Sequence, residues 1–135
     1  MTDKDQPQQP QPLSLTSIRI GSSQPKVLAE FYAKFFGRPA DFQQGVFHVW
    51  LGAGCQVRIS DHTDVAAQTK EPGRMLLNFD TQQVKEEFER LKALGVTVIR
   101  EPYVMGGGYW VATLADTEGN LVQLTSPAEL PTAPK

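Results

Sequence analysis

Cysteine is almost missing from this chain: a single residue, Cys55, in 135. One thiol excludes an internal disulfide and a cysteine-built zinc site, and it fits a reducing, cytoplasmic compartment. Histidine is nearly as scarce, with only His48 and His62. That leaves few imidazoles for a metal centre or a proton relay. There is no basic block either. Thirteen Lys and Arg stand against 15 Asp and Glu, for a formal charge of -2, which argues against nucleic acid or an anionic membrane surface as partner. No apolar run approaches the ~20 residues of a membrane-spanning helix. The start, M-T-D-K-D-Q-P-Q-Q-P-Q-P, has no apolar signal-peptide core. Gly106-Gly107-Gly108 is not followed by Lys-Ser or Lys-Thr, so it is no phosphate loop and reads as a wide turn or a cleft rim.

What is present suits one domain. The hydrophobic fraction is 40% and the charged fraction 21%, ordinary values for a globular fold of this length. Residues 1–12 are Gln, Pro and charge and read as a disordered arm; 128–135 read as a loose tail. Leu13 opens a first strand in which Ile18 and Ile20 alternate with Ser17, Arg19 and Gly21. Ser22-Ser23-Gln24-Pro25 signals a helix start, and Val27, Leu28, Phe31, Phe35 and Phe36 recur at helical spacing up to Gly37. Segments 41–45 and 46–51 read as an antiparallel pair, and Cys55 to Ser60 as a further strand. A polar connection, 61–73, then leads to a second series. Met75, Leu77 and Phe79 alternate with Leu76 and Asn78. A helix follows, capped by Asp80 with Gln83 or by Thr81, with Val84, Phe88 and Leu91 on one stripe. Strands at 96–100 and 110–114 lead to the corner D116-T-E-G119-N120 and a last strand. There Val122 and Leu124 face one way, and Leu121, Gln123 and Thr125 the other.

The two series match. Phe36-Gly37 recurs as Leu94-Gly95, 58 residues on. G54-C-Q-V-R-I-S60 recurs as G119-N-L-V-Q-L-T125, 65 residues on. The seven extra residues are most simply placed around Met105 to Tyr109. The fold expected is α+β: two βαβββ modules forming a curled mixed-sheet cleft with helices on the outer face. The domain spans 13–127, with modules at about 13–63 and 74–127.

This pattern resembles the vicinal-oxygen-chelate superfamily, the glyoxalase, bleomycin-resistance and extradiol-dioxygenase relatives. The residues that carry the resemblance are A-E-F31-Y32-A-K-F-F-G37, R90-L-K-A-L-G95-V, and the corner D116-T-E-G119-N120-L-V-Q123-L. The corner is similar to an Asp-Pro-Asp-Gly-Asn signature, with Thr117 in place of proline. The resemblance implies a cleft lined by the sheet faces opposite the helices, and a homodimer. It also implies four metal-ligand positions, which fall here on Ser17, Arg58, Leu76 and Gln123. Only Gln123 is an ordinary ligand, so no metal, no cofactor and no catalytic residue are expected.

The cleft residues expected to bind a small molecule are Arg19, Trp50, Arg58, Asn78, Tyr109, Trp110 and Gln123. The two guanidiniums suit an anionic oxygen; they could equally pair with Asp or Glu. The aromatics suit a flat ligand, or else core or interface packing. His48 reads as structural, Cys55 as a small buried hydrophobe, and Asp116 and Glu118 as corner stabilisers through backbone bonds. The function expected is metal-independent binding that sequesters an anionic, partly aromatic molecule. A metal-dependent lyase, isomerase or dioxygenase, and a partner or regulatory domain, are the alternatives.

Overall fold

Ile18 and Ile20 alternate with Arg19 and Gly21, and they form strand β1 (Ser17–Ser22). The computed structural model describes residues 13–62, 64–66, 68–106 and 108–126. The arm expected at 1–12 and the tail at 128–135 lie outside the described residues. β1 starts later than the sequence suggests. Its parallel partner begins only at Gln56, opposite Ser17, and Leu13 and Leu15 are left exposed. Helix α1 (Pro25–Phe36) has proline in its first turn and ends at Gly37, whose φ of 72° lets its N–H reach the carbonyls of Ala33 and Lys34. No serine side chain caps it at the N-cap position, Gln24. Ser22 still belongs to the strand, and its Oγ accepts the Gln24 N–H at 2.8 Å.

β2 (Phe42–Gln44), β3 (Phe47–Trp50) and β4 (Gln56–Asp61) complete a sheet of order β1-β4-β3-β2. The β1–β4 pair is parallel and the others antiparallel. After a 3-10 turn at Pro72–Arg74, the second module repeats this plan. β5 (Leu76–Asp80), α2 (Val84–Ala93), β6 (Thr97–Val104), β7 (Trp110–Ala115) and β8 (Leu121–Thr125) give the order β5-β8-β7-β6. Its β5–β8 pair is again parallel. The extra residues of this module are taken up by an eight-residue β6, against three in β2, and by a longer turn. The expected α+β class, with two βαβββ modules of mixed sheet and a helix against one face of each, is what the chain adopts.

One core serves both modules. Trp50 and Ile59 from the first sheet, and Ala112, Leu114, Val122 and Leu124 from the second, join Leu28, Phe31, Tyr32 and Phe35 of α1 and Val84, Phe88 and Leu91 of α2. The Phe35 and Phe36 rings lie 4.7 and 5.4 Å from the Phe79 ring. Arg90 of α2 donates to the carbonyls of Lys34 and Phe35 at 2.7 and 2.8 Å, filling acceptors that the end of α1 leaves open. The modules are therefore joined through their helix-facing sides. The opposite face of each sheet lies outside this shared core.

Candidate functional site

On the outer face of the first sheet, register sets Arg19 of β1 directly beside Arg58 of β4. Adjacent strands run about 4.8 Å apart, so two guanidinium groups share one patch. Each is steadied by a neutral neighbour. Arg19 Nε donates to Ser60 Oγ at 2.6 Å, and Arg58 Nε donates to Gln56 Oε1 at 3.0 Å. Among the described residues neither forms an ion pair. The pairing with Asp or Glu that would make them merely structural is thus not observed. Val49, opposite Arg58 on β3, adds an apolar floor.

The outer face of the second sheet carries the amides. Asn78 of β5 pairs in register with Gln123 of β8, and Gln123 Nε2 donates to Thr113 Oγ1 at 3.0 Å, while its carbonyl oxygen has no partner among the described residues. These two line a depression of about 480 Å³ together with Leu76, Tyr103, Tyr109 and Thr125. Tyr103 and a guanidinium stacked on it were not singled out from the sequence: Arg100 Cζ lies 3.6 Å from the Tyr103 ring centroid. The signal was weak, because the β6–β7 register shifts between Val98 and Arg100 and again before Tyr103, which scrambles the strand alternation.

The expected residues do not all meet. Asn78, Tyr109 and Gln123 share one depression to which the first module contributes nothing. Trp50 and Trp110 are on the other side of their strands. Trp50 is 2% exposed, packed near Tyr32 and Phe36, with its Nε1 donating to the Arg38 carbonyl at 3.1 Å. Trp110 packs against the core beneath the Lys85 ammonium, 3.9 Å from the ring centroid. Both extend the apolar stripe beneath a helix, which claims large rings more strongly than an open sheet face does. His48 stacks on Trp50 and bonds the Val46 carbonyl at 2.9 Å. Cys55 is half-buried.

The four positions implied for a metal are a poor donor set. Leu76 has no donor atom, Arg58 carries a fixed positive charge, and Ser17 and Gln123 offer one neutral oxygen each. Among the described residues, no three His, Cys, Asp or Glu gather to hold an ion. These four side chains do not fit a metal.

The buried charge lies instead at the corner between β7 and β8. Asp116 Oδ1 accepts the N–H groups of Glu118 and Asn120 at 2.8 and 3.0 Å, and Oδ2 accepts the Tyr32 hydroxyl at 2.8 Å and Asn120 Nδ2 at 2.9 Å. Burial, reinforced by the Asp116 charge, holds the Tyr32 phenol well above its ordinary range. Glu118 does not bond the corner backbone with its side chain. Its Oε2 accepts the Ser22 hydroxyl across the module boundary. Burial raises the Glu118 carboxyl, and the Asp116 charge adds to this, partly offset by the Ser22 bond.

Comparison with known proteins places this geometry. A family model described as a glyoxalase-like domain matches residues 17–125. A sequence search of curated proteins returns no match. Among solved structures, a glyoxalase-related enzyme from Fulvimarina pelagi superposes with a TM-score of 0.70 at 20% identity, covering 84% of this chain and 88% of that one. A glyoxalase/bleomycin resistance protein/dioxygenase family enzyme from Burkholderia phytofirmans PsJN gives 0.68 at 19%, covering 84% and 98%. Lactoylglutathione lyase from Agrobacterium tumefaciens gives 0.67 at 16%, covering 85% and 94%. At these identities the likeness is one of fold.

Proposed function

The chain belongs to the glyoxalase-like domain family, and from that premise we propose that it is a metal-independent binding protein for a small, anionic, partly aromatic molecule. One observation carries the reading: Arg19 and Arg58 stand side by side on adjacent strands with no acid paired to either among the described residues. Two unneutralised guanidiniums side by side, Arg58 half-buried and Arg19 exposed, suit a carboxylate, phosphate or enolate oxygen. The amides of Asn78 and Gln123, with the rings of Tyr103 and Tyr109, supply orientation and a flat wall. Turnover would need a nucleophile, a poised base or a metal beside them, and binding needs none.

The charged half of this receptor is on the first module and the amide half on the second, on faces that one chain does not close together. A homodimer in which the first module of one copy covers the second module of the other would unite them. The test is a thermal-shift screen of aromatic carboxylates and phosphates, followed by calorimetry. Arg58→Ala should weaken an anionic hit by about 1–3 kcal/mol. Hits that are uniformly neutral and aliphatic, or that bind the variant as well as the parent, would sink the reading. So would stoichiometric metal in elemental analysis of protein exposed to nickel, zinc, iron or manganese.

A further inference from the structure

A second cavity, of about 500 Å³, lies where β1 meets the second module, beneath the connection that follows β4. Its walls are mainly apolar, with Ile18, Ile20, Val65, Met75, Leu77 and Leu121, beside polar Gln68, Thr69 and Asn120. It shares no residue with the depression around Asn78 and Gln123. One interior charge faces it. Glu118 lines the cavity and is only 6% exposed. One of its carboxylate oxygens, Oε2, is held by Ser22; Oε1 has no hydrogen-bond partner among the described residues. Every fully buried side-chain polar atom among those residues does have a partner. The space that Glu118 lines is this cavity.

The other charged groups of the lining, Arg19, Asp64 and Lys70, are exposed, and Arg19 stands beside Arg58 on the face of β1 opposite Ile18 and Ile20. In water their fields are screened, whereas a carboxylate set in an apolar wall acts at short range with little screening. The interior charge therefore decides the ligand's polarity. We propose that this junction cavity is a binding site for a small amine with an apolar body, its ammonium donating to Glu118 Oε1 and its hydrocarbon lying along Ile18, Ile20, Leu77 and Leu121. The connection above is anchored to the same corner. Thr69 N–H donates to the Glu118 carbonyl at 2.8 Å, and Gln68 Nε2 to the Thr117 carbonyl at 3.0 Å. Occupancy would thus be felt at the link between the modules. The raised carboxyl of Glu118 agrees with a buried acid that lacks a cationic partner.

The experiment titrates the full chain with hexylamine and with hexan-1-ol, which share a hydrocarbon chain and differ in charge. Hexylamine should bind roughly tenfold or more tightly than the alcohol, the size expected of one charge-assisted contact. In amide NMR spectra it should perturb Ile20, Val65 and Leu121. Glu118→Gln, which keeps an acceptor for Ser22, should bring the two ligands to equal affinity. Equal affinities in the parent would overturn the proposal, as would perturbations centred on Asn78 and Gln123. Should Glu118→Gln not fold, the titration of the Glu118 carboxyl carbon in the parent decides. Hexylamine must lower its midpoint, and an unmoved midpoint refutes the site.

Discussion

A phenol, Tyr32, and two carboxylates, Asp116 and Glu118, meet under the β7–β8 corner. The Tyr32 hydroxyl donates to Asp116 in a buried site, and burial with that negative neighbour opposes a second negative charge. A Tyr32→Phe difference titration, followed by phenolate absorbance, should show no Tyr32 ionisation near its ordinary 10.0. Absorbance lost from the variant at that pH would contradict the buried bond. Glu118 gives a stability signature of definite sign. Its folded pKa is raised above the ordinary 4.5, so the folded state holds the proton more tightly than the unfolded chain. Stability therefore falls as pH rises from about the ordinary value through the higher folded one. Asp41 moves oppositely, lowered chiefly by the Leu51 N–H and then by Arg38. It is common to parent and variant, so it cancels in their difference. Glu118→Gln should gain stability relative to the parent as pH climbs through that window, in urea unfolding at several pH values. A difference that is flat with pH, or slopes the other way, would refute the assignment.

The corner itself is an element whose turn requires a residue without a side chain. Gly119 has φ 83°, and a Cβ there would come 3.1 Å from Gln68 Oε1. Gly45, in the β2–β3 turn, also has positive φ, 59°, but open space around it. Alanine at either position incurs the left-handed penalty of about 1–2 kcal/mol. At Gly119 the displaced Gln68 should add to this, so denaturant unfolding should rank Gly119→Ala as the more costly. Equal losses would mean that the connection does not press on the corner. The corner, both helices and every strand were legible in the sequence, because alternation and helical spacing report which face of an element is apolar. The lengths of β1 and β6 were not, since they depend on a partner strand and on bulges. The two tryptophans mislead for a related reason. In F47-H-V-W50-L the wholly apolar face is Phe47, Val49 and Leu51, yet the helix covers His48 and Trp50. Local hydrophobicity cannot tell which of two apolar faces a distant helix will choose. The Ser22–Glu118 bond spans 96 positions, and no local pattern announces it.

At the scale of the whole molecule the consequence is geometric. The helix-facing sides of both sheets enter one core, so the polar faces with Arg19 and Arg58, and with Asn78 and Gln123, cannot close on each other within one chain. Exposed apolar side chains are found on the same outer faces. Phe42, opposite Val49, is 50% exposed and Leu76 is 42% exposed, a cost that a partner surface would remove. Sequence periodicity reveals each face but carries no information on how two modules dock, which is why all seven candidate residues were expected in one cleft. If the receptor forms across a homodimer, each site takes its arginines from one copy and its amides from the other. Arg58→Ala and Gln123→Leu homodimers then have two damaged sites apiece. Mixed and allowed to exchange, they form heterodimers in which one site collects both substitutions and the other collects neither. For random pairing half the dimers are mixed, so about a quarter of all sites should regain the parent affinity for an anionic hit. Calorimetry of the mixture before and after exchange measures that fraction. If exchange is verified by mass spectrometry and no high-affinity fraction returns, the two halves act within a single chain or not together, and the composite receptor is wrong.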